Sequence, residues 1–375
     1  MRGETDQQRR SATRVLTFAA AFFTSFTLGL AADRPSPPLE LHIEGTKVLN
    51  SEGEEVLLRG VNVPSLEWNA TGEGRVLETV RIAIDDWNSN VVRIPLAQDR
   101  WFGHAPEQSG DGDAYRNIVD EIVKLGSDRG VYVILDLHWS NAGQWGQNIG
   151  QHHMPDQHSL AFWKDVAARY KNNPAVIFDL FNETHGVSWD VWYSGGEVTE
   201  APPRGRGGRR LTEPMKYESV PLPELLKAVR ETGAKNMVII GGLNWAYDLD
   251  EFLKRPIEDP NGNGVLYANH TYPFKGDTVE EWIAKMKIAT EKLPVIVSEF
   301  GAETREGVHI NNSGSTDEEW VQAVLKACDE NNWHYTAWNL HAGATPRLIK
   351  DWSYEPTEFF GVFVRENLAS GKGKP

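Results

Sequence analysis

Two glutamates, Glu183 and Glu299, each sit at or near the end of a short run rich in β-branched residues, "VIFDLFNE" over 176–183 and "VIVSEF" over 295–300. Other polar residues fall in or end runs of the same kind: Arg93 in "VVRIP", Asp136 and His138 in "VILDLH", Asn182 beside Glu183, His270 and Tyr272 in "YANHTY", and Trp338 in "HYTAWNL". Each would be expensive to bury alone, because an unpaired polar group or charge in an apolar setting costs several kcal/mol. Gathered at one rim they form a site with two carboxylates, a cation and several donors. Two facing carboxylates suit glycosidic cleavage: one protonates the departing oxygen while the other attacks or activates water at the anomeric carbon.

The elements that must position these groups alternate along the chain. Eight runs read as strands: one near Leu57 to Asn62, then 90–96, 132–138, 176–183, 237–242, 265–272, 295–300 and 334–340. Between them lie stretches such as "GRVLETVRIAIDDWNS" and "SLAFWKDVAARYKNN", whose apolar residues return every three or four positions, the period of an amphipathic helix. Strands apolar on both faces, each followed by a helix, require a parallel sheet covered on its outside. Eight such units close into an α/β fold of the (β/α)8 TIM-barrel type, in which the C-terminal ends of the strands carry the chemistry. Over 41–62, "LHIEGTKVLNSEGEEVLLRGVN" reads as a β-hairpin around "NSEGEE", with Gly53 free to take positive φ, leading into the first barrel strand. A long loop insertion, 184–221, follows the fourth strand and breaks the rhythm.

At these residues a resemblance becomes specific. "LRGVN", "VVRIP", "LDLHW", "LFNE", "HTY", "SEFG" and "TAWN", in that order and at strand ends, resemble glycoside hydrolase family five, the cellulase-like retaining glycosidases of the clan with its acids on strands four and seven. The likeness runs from about Leu39 to Leu368. It implies that Glu183 is the acid/base and Glu299 the nucleophile. It further implies that Arg93 and Tyr272 hold the nucleophile, Asn182 the sugar 2-hydroxyl, His138 and His270 the catalytic subsite, and Trp338 a stacking platform. The family usually carries proline after its acid/base, and here Thr184 stands there.

The chain has 14 Trp, flat apolar faces with one polar edge that suit either sugar stacking or a core. Trp68, Trp101, Trp139, Trp145, Trp189, Trp192 and Trp245 fall in loops after strands; Trp139 and Trp245 are read as substrate-binding, and Trp189, Trp192 and Tyr193 as an aromatic wall opening the insertion. Trp163, Trp282 and Trp320 lie on helices and read as core. Asp136 and Asp179, below the rim, read as buried support. "HHMPDQH" over 152–158 could ligate a metal but reads better as a solvated loop, and "PRGRGGRR" as a flexible one.

Composition narrows the classes. Of 375 residues, 38 are Lys or Arg and 53 Asp or Glu, so the net charge of −15 lacks the attraction nucleic-acid binders need. A single cysteine, Cys328, excludes an intrachain disulfide framework and a Cys-based zinc site. The first 32 residues place Arg2, Arg9, Arg10 and Arg14 ahead of an apolar run from Val15 to Leu30 and two alanines, which reads as a secretory signal peptide, with an uncleaved anchor as the alternative. The expectation is therefore a secreted or periplasmic monomer with one catalytic domain over 33–375, cofactor-free and metal-free, acting on a polysaccharide or oligosaccharide. The favoured activity is a retaining endo-β-1,4-glucanase with its carboxyl groups ~5–5.5 Å apart. A β-mannanase or other β-glycan hydrolase, a transglycosylase and a non-catalytic carbohydrate-binding barrel remain as alternatives.

Overall fold

Twelve strands organise the computed structural model, which describes residues 36–201, 214–303 and 314–371. The expected signal over 1–32 and the basic stretch Arg204–Arg210 lie outside the described residues. Strands β1 (Leu41–Glu44) and β2 (Lys47–Asn50) form an antiparallel hairpin. Eight strands then close a parallel barrel in chain order: β3 (Arg59–Asn62), β4 (Val91–Ala97), β5 (Tyr132–Trp139), β6 (Val176–Asp179), β9 (Val238–Gly241), β10 (Val265–Thr271), β11 (Val295–Phe300) and β12 (His334–Ala337). The remaining two, β7 (Gly196–Glu200) and β8 (Met215–Ser219), pair antiparallel inside the insertion. All eight expected runs are barrel strands. The insertion is more structured than a loop, since a helix over Trp189–Ser194 precedes the β7–β8 pair.

Strand alternation divides the core in two. On β4, β5 and β11, Val92, Ile94, Val133, Leu135, Val295 and Val297 belong to the larger apolar cluster with the helices. Their alternates Val91, Tyr132, Ile134 and Ile296 join Leu41, Val48 and Val56 in a second cluster inside the barrel, so the hairpin plugs the end opposite the site. The same inward parity carries Arg93 on β4 and Asp136 and His138 on β5 towards the other end.

The hairpin differs from the sequence reading in its turn. Chain reversal between β1 and β2 occurs at Gly45 and Thr46, with Gly45 at φ +62°. "NSEGEE" forms the next turn, in which Asn50 Oδ1 accepts the N–H groups of Glu52 and Glu54 at 3.0 and 2.9 Å and Gly53 takes φ +81°. Both turns close antiparallel pairing: the shorter joins β1 to β2, and "NSEGEE" brings Leu49 opposite Glu55, with Val56 N–H donating to the Val48 carbonyl at 2.9 Å.

Candidate active site

Arg93 is the hub. Its guanidinium is fully buried and meets three carboxylates, Asp136 at 3.1 Å, Asp179 at 2.9 Å and Glu299 at 2.7 Å. Burial disfavours its charge, but those three carboxylates outweigh the penalty and hold it protonated. Arg93 also donates to Asn62 Oδ1 at 3.0 Å and to Asn182 Oδ1 at 2.9 Å. Burial pushes Asp136 and Asp179 up to about 7, against the pull of Arg93. They are thus support beneath the rim, as read from the sequence.

A register shift re-aims Glu299. Along β11 the pairing with β10 runs Val297 to Asn269 and then Glu299 to His270, leaving Ser298 as an extra residue. Strict alternation would turn Glu299 away from the barrel if Ile296 points in; the irregularity brings it inward, a common use of bulges beside active sites. Both Glu299 oxygens are held, Oε1 by Arg93 at 2.7 Å and Oε2 by the Tyr272 hydroxyl at 2.7 Å. Burial and the Glu299 charge raise Tyr272 well above its usual range, so it keeps the proton it donates.

Glu183 has a different setting. It follows β6, beyond which Leu180 N–H still donates to the Ile239 carbonyl at 3.0 Å and Asn182 N–H to the Leu137 carbonyl at 3.1 Å, and adjacent Asn182 and Glu183 both line the cleft. Among the described residues its carboxylate has one hydrogen-bond partner, His270 Nδ1 at 3.0 Å, and burial raises its pKa. His270 is pushed down to about 3 by burial and is neutral, with Nε2 3.0 Å from Ser298 Oγ. If the Ser298 hydroxyl donates to Nε2, Nδ1 carries the proton and points at Glu183. Glu183, His270 and Glu299 each place a donor atom within 4.8 Å of the others. That grouping has metal-ligand spacing, yet the same atoms are already engaged with one another and with Arg93, Tyr272 and Ser298.

A cleft of about 660 Å³ opens over these groups, lined by His138, Trp139, Asn182, Tyr272, Trp338 and Trp245 together with both glutamates. The ten residues read from the sequence as catalytic or substrate-binding (Glu183, Glu299, Arg93, His138, Trp139, Asn182, Trp245, His270, Tyr272 and Trp338) therefore stand at this cleft or on the network beneath it. His138 directs Nδ1 to Asp136 Oδ2 at 2.6 Å and stacks on Trp338 at 5.3 Å, with burial pushing it down to about 4. Gln151, Asn244, Phe274 and Lys275 also line the cleft; sequence reasoning missed them because they lie in loops with no strand-end signature. Gln151 Oε1 accepts from Asn182 Nδ2 at 2.9 Å and its amide donates to the Glu183 carbonyl at 3.1 Å.

The aromatic wall expected from the insertion is not there as read. Trp192 is fully buried against Trp189, Tyr193 and Phe252, with no face for sugar, and Trp101 is likewise core. An apolar 189–193 face with a nearby Phe252 packs inward, because covering an indole stabilises more than leaving it wet. The histidine run is not the solvated loop read from the sequence: His152, Met154 and Asp156 are buried, His152 Nδ1 meets Glu200 at 2.9 Å, and Asp156 caps the helix Gln157–Tyr170. Trp163, Trp282 and Trp320 are buried as expected, and Cys328 is buried too.

The cellulase model, glycosyl hydrolase family 5, matches residues 49–344. The chain belongs to glycosyl hydrolase family 5. Among its relatives, Endoglucanase A of Butyrivibrio fibrisolvens is 25% identical over 288 residues, which is 76% of this chain but 57% of that protein, so this chain spans little more than half its relative. A β-glucanase structure from Saccharophagus degradans superposes with a TM-score of 0.70 at 23% identity, covering 89% of this chain and 94% of that one. A β-mannanase from Streptomyces thermolilacinus superposes at 0.62 with 19% identity, over 89% and 97%. At such identities the barrel fold is common ground and the sugar is not.

Proposed function

We propose that this family 5 chain is a retaining endo-β-1,4-glucanase with Glu299 as nucleophile and Glu183 as acid/base. The observation that carries the reading is the unequal setting of two carboxylates whose nearest oxygens lie within 4.8 Å. Such closeness suits direct attack, whereas inversion leaves roughly 6.5–9.5 Å for a water. Arg93 and Tyr272 each hydrogen-bond one oxygen of Glu299, while burial favours the protonated form of Glu183.

Glu299 attacks the anomeric carbon as Glu183 protonates the leaving oxygen, giving a glycosyl-enzyme. Glu183 then takes a proton from the water that releases the sugar. As Glu299 gives up its charge to the bond, Tyr272 and Arg93 retain their protons, so the nucleophile regains its partners when the intermediate breaks. Asn182, oriented by Arg93 and Gln151, presents its amide where the oxocarbenium-like sugar needs a 2-hydroxyl partner.

Glucan is favoured over mannan because the relatives matched by sequence are named endoglucanases, and the Saccharophagus degradans fold neighbour has a cellotetraose complex. The signal read over 1–32 would export the protein to its polymer. Incubation with purified β-glucans and β-mannans, followed by product sizing and proton NMR of the first anomer, tests both points. Release of cello-oligosaccharides as β anomers is expected; α anomers would remove the nucleophile role, and mannan-only turnover would change the sugar.

A further inference from the structure

Thr184, directly after Glu183, is fully buried, and its hydroxyl has two partners. It donates to the Gly242 carbonyl at 2.8 Å and accepts from Trp192 Nε1 at 3.2 Å, while the same indole N–H lies 3.2 Å from the Gly241 carbonyl. The Thr184 carbonyl in turn accepts the Trp245 N–H at 3.0 Å. Both ends of this residue therefore reach the loop after β9. Close approach is built in, since a Cβ at Gly242 would come 2.2 Å from the Asp248 carbonyl.

That loop is strained. Asn244, Trp245 and Ala246 have φ of +58°, +58° and +54°, three consecutive non-glycine residues in the left-handed region. Left-handed φ is unfavourable for any residue with a Cβ, and a run of three persists only where the surroundings over-determine it. The restraints are visible: Gly242 O accepts both the Thr184 hydroxyl and the Ala246 N–H, Lys275 donates to Asn244 O at 2.9 Å, and His185 stacks on Trp245 at 4.5 Å. The strained run presents Trp245 to the cleft, 43% exposed.

We propose that Thr184 is a positioning residue that clamps the peptide carrying Glu183 to the loop carrying Trp245, so that proton delivery and grip on the leaving-side sugar are set together. The inference rests on Glu183 being the acid/base. The hydroxyl supplies a fixed join between two loops, and Trp192 is the indole that fixes the hydroxyl. Losing the join lets Glu183 drift from the leaving oxygen while Glu299, on the far wall, stays on Arg93 and Tyr272.

Thr184→Val keeps the shape and removes the hydroxyl. The expected result is a fall of about tenfold or more in kcat on cello-oligosaccharides, whose leaving oxygen needs the proton. Turnover of a dinitrophenyl cellobioside, whose leaving group needs none, is expected to stay within about twofold in kcat/KM. Thr184→Ser should restore the oligosaccharide rate. Equal losses on both substrates, no loss on either, or failure of the serine to restore would overturn the clamp. Glu183→Gln in the otherwise native chain separates the two readings: if it spares cello-oligosaccharides, the acid/base assignment has failed, whereas a selective loss there with an indifferent Thr184→Val defeats only the clamp.

Discussion

His270 Nδ1 lies 3.0 Å from Glu183 Oε1 and 3.6 Å from Glu299 Oε2, so one neutral imidazole faces both carboxylates. Its far nitrogen rests on Ser298, the residue left over by the register shift. Ser298→Ala should weaken the tautomer that donates to Glu183 and lower kcat on oligosaccharides several-fold. His270→Ala, which removes the donor outright, should lower it by roughly the 10²-fold or more that general acid–base catalysis contributes. Steady-state kinetics on both variants checks the order.

Burial raises Glu183, and the glycosylation step needs it protonated. For kcat/KM on an unactivated glucan, activity should therefore fall as pH rises through a pKa above the ordinary Glu value of about 4.3. The same limb should be weak or missing on an aryl glycoside with an acidic leaving group. Parallel pH profiles on the two substrates check this; identical basic limbs would point to another titrating group.

Small nucleophiles distinguish the two roles. Glu183→Ala with azide should yield a β-glycosyl azide from an activated substrate, because azide attacks the intermediate without a general base. Glu299→Ala with azide should yield the α product. The opposite pairing of products, read by NMR, would exchange the assignments.

Burial pushes Asp136 and Asp179 up to about 7 in the folded chain, against about 3.9 unfolded. With folded values raised, the stability they favour is fully present below about 4 and is lost as pH rises to about 7. The melting temperature should therefore decline over that window, and Asp179→Asn should make the decline shallower. Calorimetry at several pH values decides it.

The buried position of Trp192 redirects what its removal should do. Trp192→Ala should lower stability by about 3–5 kcal/mol through lost packing, read as a drop in melting temperature. Trp245→Ala, at an exposed ring in the cleft, should instead leave stability nearly unchanged and raise KM for longer chains. Thermal melts and chain-length kinetics separate the two.

The order of the eight barrel strands and the polar residues at their ends were legible in the chain itself. Both are local patterns: β-branched runs alternate with 3.6-residue periodicity, and a charge ending an apolar run marks a strand's functional end. Glu183, Glu299 and Arg93 could be placed on one rim for that reason, and Asp136 and Asp179 beneath it. Tertiary structure alone decided which indoles are open to the cleft, because Trp192 and Trp245, both expected in loops, differ in whether Phe252 or the cleft lies opposite. It also decided that Glu299 turns inward, since the extra residue at Ser298 exists only in the pairing with β10. Gln151 and Lys275 entered the cleft from loops whose course depends on distant partners, and the Thr184 hydroxyl found Gly242, 58 residues on, through the closure of the barrel. Period and composition specify elements over a few turns of chain; burial, hydrogen-bond partners and pKa shifts depend on what the fold brings alongside.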